Sequence, residues 1–64
     1  MGGIDLEQEW YKRAEQRFSL LLAQGVVPTI AQISATLGLS DPEFLRRIHR
    51  HLETVALRNA SNGE

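Results

Sequence analysis

Apolar residues recur along this chain at helical spacing in three stretches, and nowhere with the strict alternation of a half-buried strand. In the first, Trp10, Ala14, Phe18, Leu21 and Leu22 fall three or four residues apart on one stripe, which Tyr11 widens. Glu7, Glu9, Lys12, Arg13, Glu15, Gln16 and Arg17 lie off that stripe or at its border. The pattern predicts a helix over about residues 5–24. Asp5 suits its N-cap, and Glu7 and Glu9 suit the positive end of the helix dipole. Gly25 stands where a glycine cap belongs, and Pro28 discourages continuation.

The second stretch is short and predicts a helix over about residues 29–37. Thr29 and Gln32 have the spacing of a capping box, and Pro28 and Ile33 that of a hydrophobic staple. Ile30, Ile33 and Leu37 form the expected buried face, with the small residues Ala31, Ser34 and Ala35 beside it. Ser34 reads as a small residue at a helix crossing, and Gly38 as the stop.

The third stretch predicts a helix over about residues 42–58, roughly 25 Å long at 1.5 Å per residue. Pro42 fits the first helical position with Asp41 as N-cap, while Ser40 and Glu43 offer a second capping arrangement. Phe44, Leu45, Ile48, Leu52, Val55 and Ala56 make its apolar stripe. Residues 59–64 read as a flexible polar tail. The expected fold class is therefore all-α: one domain over residues 1–64, a compact three-helix unit whose second and third helices form a helix-turn-helix.

Composition limits what such a domain can do. A core built from 64 residues without cysteine is marginal and has no disulfide or thiolate metal site to help it. A shared apolar face in a homodimer is the expected supplement. Trp10, Phe18, Leu52 and Val55 are the candidate dimer or partner contacts, although for Trp10 core packing is the stronger reading. The net charge of −1 lacks the basic excess usual in small DNA-binding domains, so the placement of charge matters more than its sum. No stretch spans a bilayer and no signal peptide is apparent, which makes the cytoplasm the expected compartment. Met1-Gly2 opens like a myristoylation site, but Leu6 stands where Ser or Thr is required. The glycosylation triplet Asn59-Ala60-Ser61 carries no weight in that compartment.

Enzymatic chemistry finds no purchase. The glycines precede no strand, so no phosphate loop forms. His49 and His51 are two apart and point to different sides of a helix, so they cannot share a metal as an i, i+4 pair would. No serine has a base at interpretable spacing. The expectation is a non-enzyme with no cofactor, no metal and no small-molecule substrate.

The arginines carry the functional reading. Arg46, Arg47, Arg50 and Arg58 lie off the apolar stripe of the third helix, interrupted by Glu43 and Glu53. A solvated face with Glu43 paired to Arg46 or Arg47 would have this pattern, and so would a helix that reaches phosphates and guanine edges. Leu22, Ala23 and Gly25, then Pro28-Thr29, Ile33, Leu37-Gly38, Ile48 and Leu52 resemble the N-terminal helix-turn-helix domain of plasmid KfrA-type DNA-binding proteins. The match covers a little under half of the chain. In that family the second helix opens at Pro-Thr and closes at Leu-Gly, and the next helix enters the major groove.

The resemblance implies a DNA-binding regulator of transcription or of plasmid or phage maintenance. Arg46, Arg47 and Arg50 would meet phosphates or guanines, with Thr29, Gln32 and Ser40 at the helix starts as further contacts. Asp41 and Glu43 depart from the small polar residues the family carries there. They would repel phosphate unless turned inward as caps or bound to a cytosine amine. The alternative is a helical adaptor or phage-type inhibitor that docks an apolar face on a protein partner without binding DNA.

Overall fold

A computed structural model describes residues 6–62, so the expected cap at Asp5 and the last two residues lie outside the described part. The described residues fold into four helices: α1 (Leu6–Arg17), α2 (Ser19–Ala23), α3 (Ile30–Leu37) and α4 (Pro42–Asn62). The expected three-helix domain is thus corrected to a four-helix one. The predicted first helix is two helices, broken at Phe18, whose φ of −111° and ψ of 26° leave the helical well.

The break interrupts direction more than hydrogen bonding. Phe18 N–H still donates to the Ala14 carbonyl at 3.0 Å, and Leu22 N–H to the Phe18 carbonyl at 2.9 Å. No proline or glycine causes the bend, and Ser19 is the only nearby residue of a kink-prone type. Its cause is tertiary. Ala14 on one side and Leu22 on the other both enter the core with Phe18 between them, and the bend turns α2 onto α4.

α4 reaches Asn62 where the expected helix ended at residue 58, so residues 59–62 are helical and not tail. Two contacts hold this extension. The half-buried Asn59 amide donates through Nδ2 to the Leu22 carbonyl at 3.0 Å, closing the end of α2. Gly25 lies against the last turns of α4, where a Cβ built on it would sit 3.2 Å from the Cβ of Ala60. Gly25 also has φ +77°. With Val26 N–H bonded to the Leu21 carbonyl and Gly25 N–H to the Leu22 carbonyl, it ends α2 in a Schellman motif.

The other expected punctuation is present. Thr29 Oγ1 accepts from Gln32 N–H at 3.1 Å, and Gln32 Oε1 accepts from Thr29 N–H at 2.9 Å, which completes the capping box. Pro28 and Ile33 are both fully buried. Gly38 ends α3 in the left-handed conformation at φ 71°. Ser34 does more than allow close approach: its hydroxyl donates to the Leu39 carbonyl at 2.5 Å, and its carbonyl accepts from Gly38 and Leu39. The turn of residues 38–41 is therefore tied to the end of α3 from both directions.

The core consists of Ala14, Phe18, Leu22, Ile33, Leu45, Ile48, Leu52 and Ala56. Four of these eight come from α4, which packs against each of the other three helices. Trp10, Tyr11, Leu21, Phe44 and Val55 close its edges. Ile30, expected on the buried face of α3, is exposed. Among the described residues no helix is long and apolar enough to cross a membrane.

Candidate nucleic-acid interface

With Leu45, Ile48, Leu52 and Ala56 directed inward, the helical repeat places Arg46, Arg50, Glu53 and Leu57 together on one outer face of α4. All four are exposed. Arg46, Arg47, His49 and Arg50 line a shallow depression on this face with Glu43 and Glu53. Among the described residues neither Arg46 nor Arg50 makes an ion pair. Glu43 does not pair with Arg46 or Arg47 along the helix, as the sequence pattern allowed. Arg47 instead reaches across to α1, with Nη1 3.6 Å from the Glu7 carboxylate. The Arg47 side chain remains 57% exposed, so this pair stabilises weakly and leaves the guanidinium within reach of another anion.

The ambiguity at the start of α4 is settled by hydrogen bonding. Asp41 Oδ1 accepts from Glu43 N–H at 3.0 Å, so Asp41 is the cap and its carboxylate is turned onto the helix end. Ser40 is exposed in the turn and takes no part in that cap. Glu43 is exposed beside the arginines, the one carboxylate at the N-terminal end of this face not engaged in capping. Thr54 turns back, its hydroxyl donating to the Arg50 carbonyl at 3.2 Å. In the capping box the Thr29 oxygen and the Gln32 carbonyl oxygen are occupied as acceptors. The Thr29 hydroxyl proton and the Gln32 amide protons remain as donors on an exposed helix start.

The side of α4 next to this face is held by α1. His51 Nε2 contacts the Glu15 carboxylate, and the His51 ring stacks on Tyr11 at 4.5 Å between centroids, 9° from parallel. The Tyr11 hydroxyl donates to Glu7, which also meets Arg47. His51 is thus a packing residue engaged with α1. Among the described residues no three His, Asp or Glu side chains are grouped to hold a metal ion.

The expected partner contacts divide by burial. Phe18 and Leu52 are 8% and 0% exposed, so one chain already covers their apolar surface. Trp10 and Val55 are half-buried against the core. Trp10 meets Phe44 edge to face, with ring centroids 6.4 Å apart at 89°, which fits the packing reading of this residue. The large apolar side chains left outside are others: Leu20 at 78% and Leu57 at 67% among them. Periodicity hid them, because Leu20 adjoins the apolar stripe in sequence and Leu57 lies one residue beyond Ala56.

No protein-family model matches the chain, and no match to it is found among curated proteins or solved structures.

Proposed function

We propose that this chain binds duplex DNA through the outer face of α4, using α3, the turn and α4 as a helix-turn-helix. The observation that carries the reading is the pair Arg46 and Arg50. They are exposed, one turn apart and, among the described residues, without an ion-pair partner, on the outward side of the second helix of that unit. Positions 42, 43, 46, 47 and 50 are those that a helix lying in the major groove would direct at base edges and flanking phosphates. Arg47 joins them once a phosphate displaces Glu7. The capped Asp41 supports the reading as well, since its carboxylate is already engaged. The Thr29 hydroxyl and the Gln32 side-chain amide would serve as donors to the DNA backbone at the start of α3. A role in regulation of transcription or of plasmid or phage maintenance follows if the binding is sequence-selective. Two copies would then read half-sites about 34 Å apart.

The test is fluorescence anisotropy of a labelled duplex over a range of salt. Affinity is expected to fall steeply as salt rises, with each phosphate contact adding about 0.9 to the log–log slope. The Arg46→Ala, Arg50→Ala double variant is expected to flatten that slope by about two contacts. Absence of duplex binding at low salt, or a slope the double variant leaves unchanged, would refute it.

The exposed Leu57, on the same ridge as Arg50 and Glu53, favours a second reading in which α4 docks on a protein partner. That reading expects no duplex binding, and a partner complex that tolerates the arginine variant but is lost on Leu57→Ser.

A further inference from the structure

Folding sorts the charges of α1 by side. From Leu6 to Arg17 the chain holds three carboxylates, Glu7, Glu9 and Glu15, and three bases, Lys12, Arg13 and Arg17, which sum to zero. Two of the carboxylates face α4: Glu15 meets His51, and Glu7 meets Arg47 and Tyr11. Among the described residues Lys12, Arg13 and Arg17 make no ion pair, so the side of α1 turned away from these contacts is basic, relieved only by Glu9.

Arg13 and Arg17 stand one turn apart and line a shallow depression with Gln16. The Arg13 guanidinium carbon lies 5.1 Å from the centroid of the Trp10 ring. Trp10 in turn packs against Phe44, a residue of the first turn of α4. A guanidinium laid on an aromatic face loses little hydration and keeps its N–H edge free for an anion. The aromatic chain from Arg13 through Trp10 to Phe44 therefore ties Arg13 to the first turn of α4.

We propose that Arg13 and Arg17, with the Gln16 amide between them, form a second phosphate-binding site that grips the DNA backbone beside the groove occupied by α4. The proposal rests on the duplex-binding reading above. Guanidinium forks and an amide donor suit phosphate oxygens, and contacts to phosphate position a protein without selecting sequence.

The experiment uses the full chain, a set of labelled duplexes of different sequence, and anisotropy over a range of salt. The Arg13→Ala, Arg17→Ala variant is expected to lower the salt slope by about 1.8, two contacts at 0.9 each, and to weaken every duplex by the same factor. The Arg13→Lys, Arg17→Lys variant keeps the charge and is expected to keep the slope. Glu9→Gln, which removes the nearby carboxylate without touching the arginines, is expected to tighten all duplexes alike. This last variant supplies a readout even where the alanine variant fails to fold. A slope flattened by the Arg46, Arg50 double variant but untouched by the α1 variants overturns the second site and leaves the α4 reading standing. A slope flattened only by the α1 variant overturns the α4 reading and keeps the phosphate site. Weakening that depends on duplex sequence overturns the backbone assignment, and no binding by the unaltered chain overturns both.

Discussion

Replacing Gly25 by alanine tests the contact that distinguishes this four-helix arrangement from a simple helical hairpin. Two costs are expected. An L-residue held at φ +77° carries roughly 1–2 kcal/mol of left-handed strain. The added Cβ would also stand 3.2 Å from the Ala60 Cβ, closer than two such carbons settle. Overpacking costs about 1–3 kcal/mol in a rigid interior, and the final turns of α4 can yield, so the lower end applies. The sum is about 2–3 kcal/mol. Gly38→Ala provides the control: its φ is +71° but nothing lies within 4 Å of the added carbon, so only the strain remains. Urea titration followed by far-ultraviolet circular dichroism and by Trp10 fluorescence measures both variants. With a urea dependence of about 1 kcal/mol per molar, Gly25→Ala should lower the midpoint by about 2–3 M, and Gly38→Ala by less. Ala60→Gly introduced into both backgrounds isolates the contact, because its helix-propensity cost cancels in the cycle. Equal losses in the two glycine variants, with no coupling to Ala60, would show that α2 and the end of α4 do not meet as described.

Three further outcomes follow from the same structure. Leu52→Ala removes a fully buried side chain from the helix that contacts all the others, and about 2–5 kcal/mol should be lost. A domain of this size has only about 3–10 kcal/mol at the usual per-residue stability, so circular dichroism at 25 °C should show substantial unfolding. Asp41→Asn keeps a side-chain acceptor for Glu43 N–H and removes a charge at the start of α4. Its thermal midpoint should stay within a few degrees of the unaltered chain, while duplex affinity rises at low salt. Asn59→Ala deletes the bond to the Leu22 carbonyl and should cost about 1 kcal/mol, read as a lower urea midpoint.

The helical stretches and most of their local punctuation, though not the number of helices, were legible in the sequence because their causes lie within a few residues. The Thr29–Gln32 box, the glycines at 25 and 38, Pro28 with Ile33, and the apolar stripe of Leu45, Ile48, Leu52 and Ala56 all act through hydrogen bonds or periods of one or two turns. Tertiary packing decided what those local rules leave degenerate. The bend at Phe18 has no breaker residue behind it and serves to bring α2 onto α4. Asn59, which in sequence looks like the start of a polar tail, is helical, and its amide adds a second donor to a carbonyl thirty-seven residues away that Gly25 N–H already meets.

The same division runs through the candidate interface. Helical periodicity assigns residues to faces, so the order of residues alone puts four arginines off the core side of the last helix. It left the pairing of charges open, because Arg46 and Arg47 have a carboxylate at helical spacing and long side chains can reach elsewhere. Only the tertiary structure gave Glu7 to Arg47, Glu15 to His51 and Asp41 to its own helix end. A near-zero sum of charge thereby becomes a surface on which, among the described residues, Arg46 and Arg50 of α4 and Arg13 and Arg17 of α1 make no ion pair. Ion pairing depends on which helices meet and at what distance, and no count along the chain contains that.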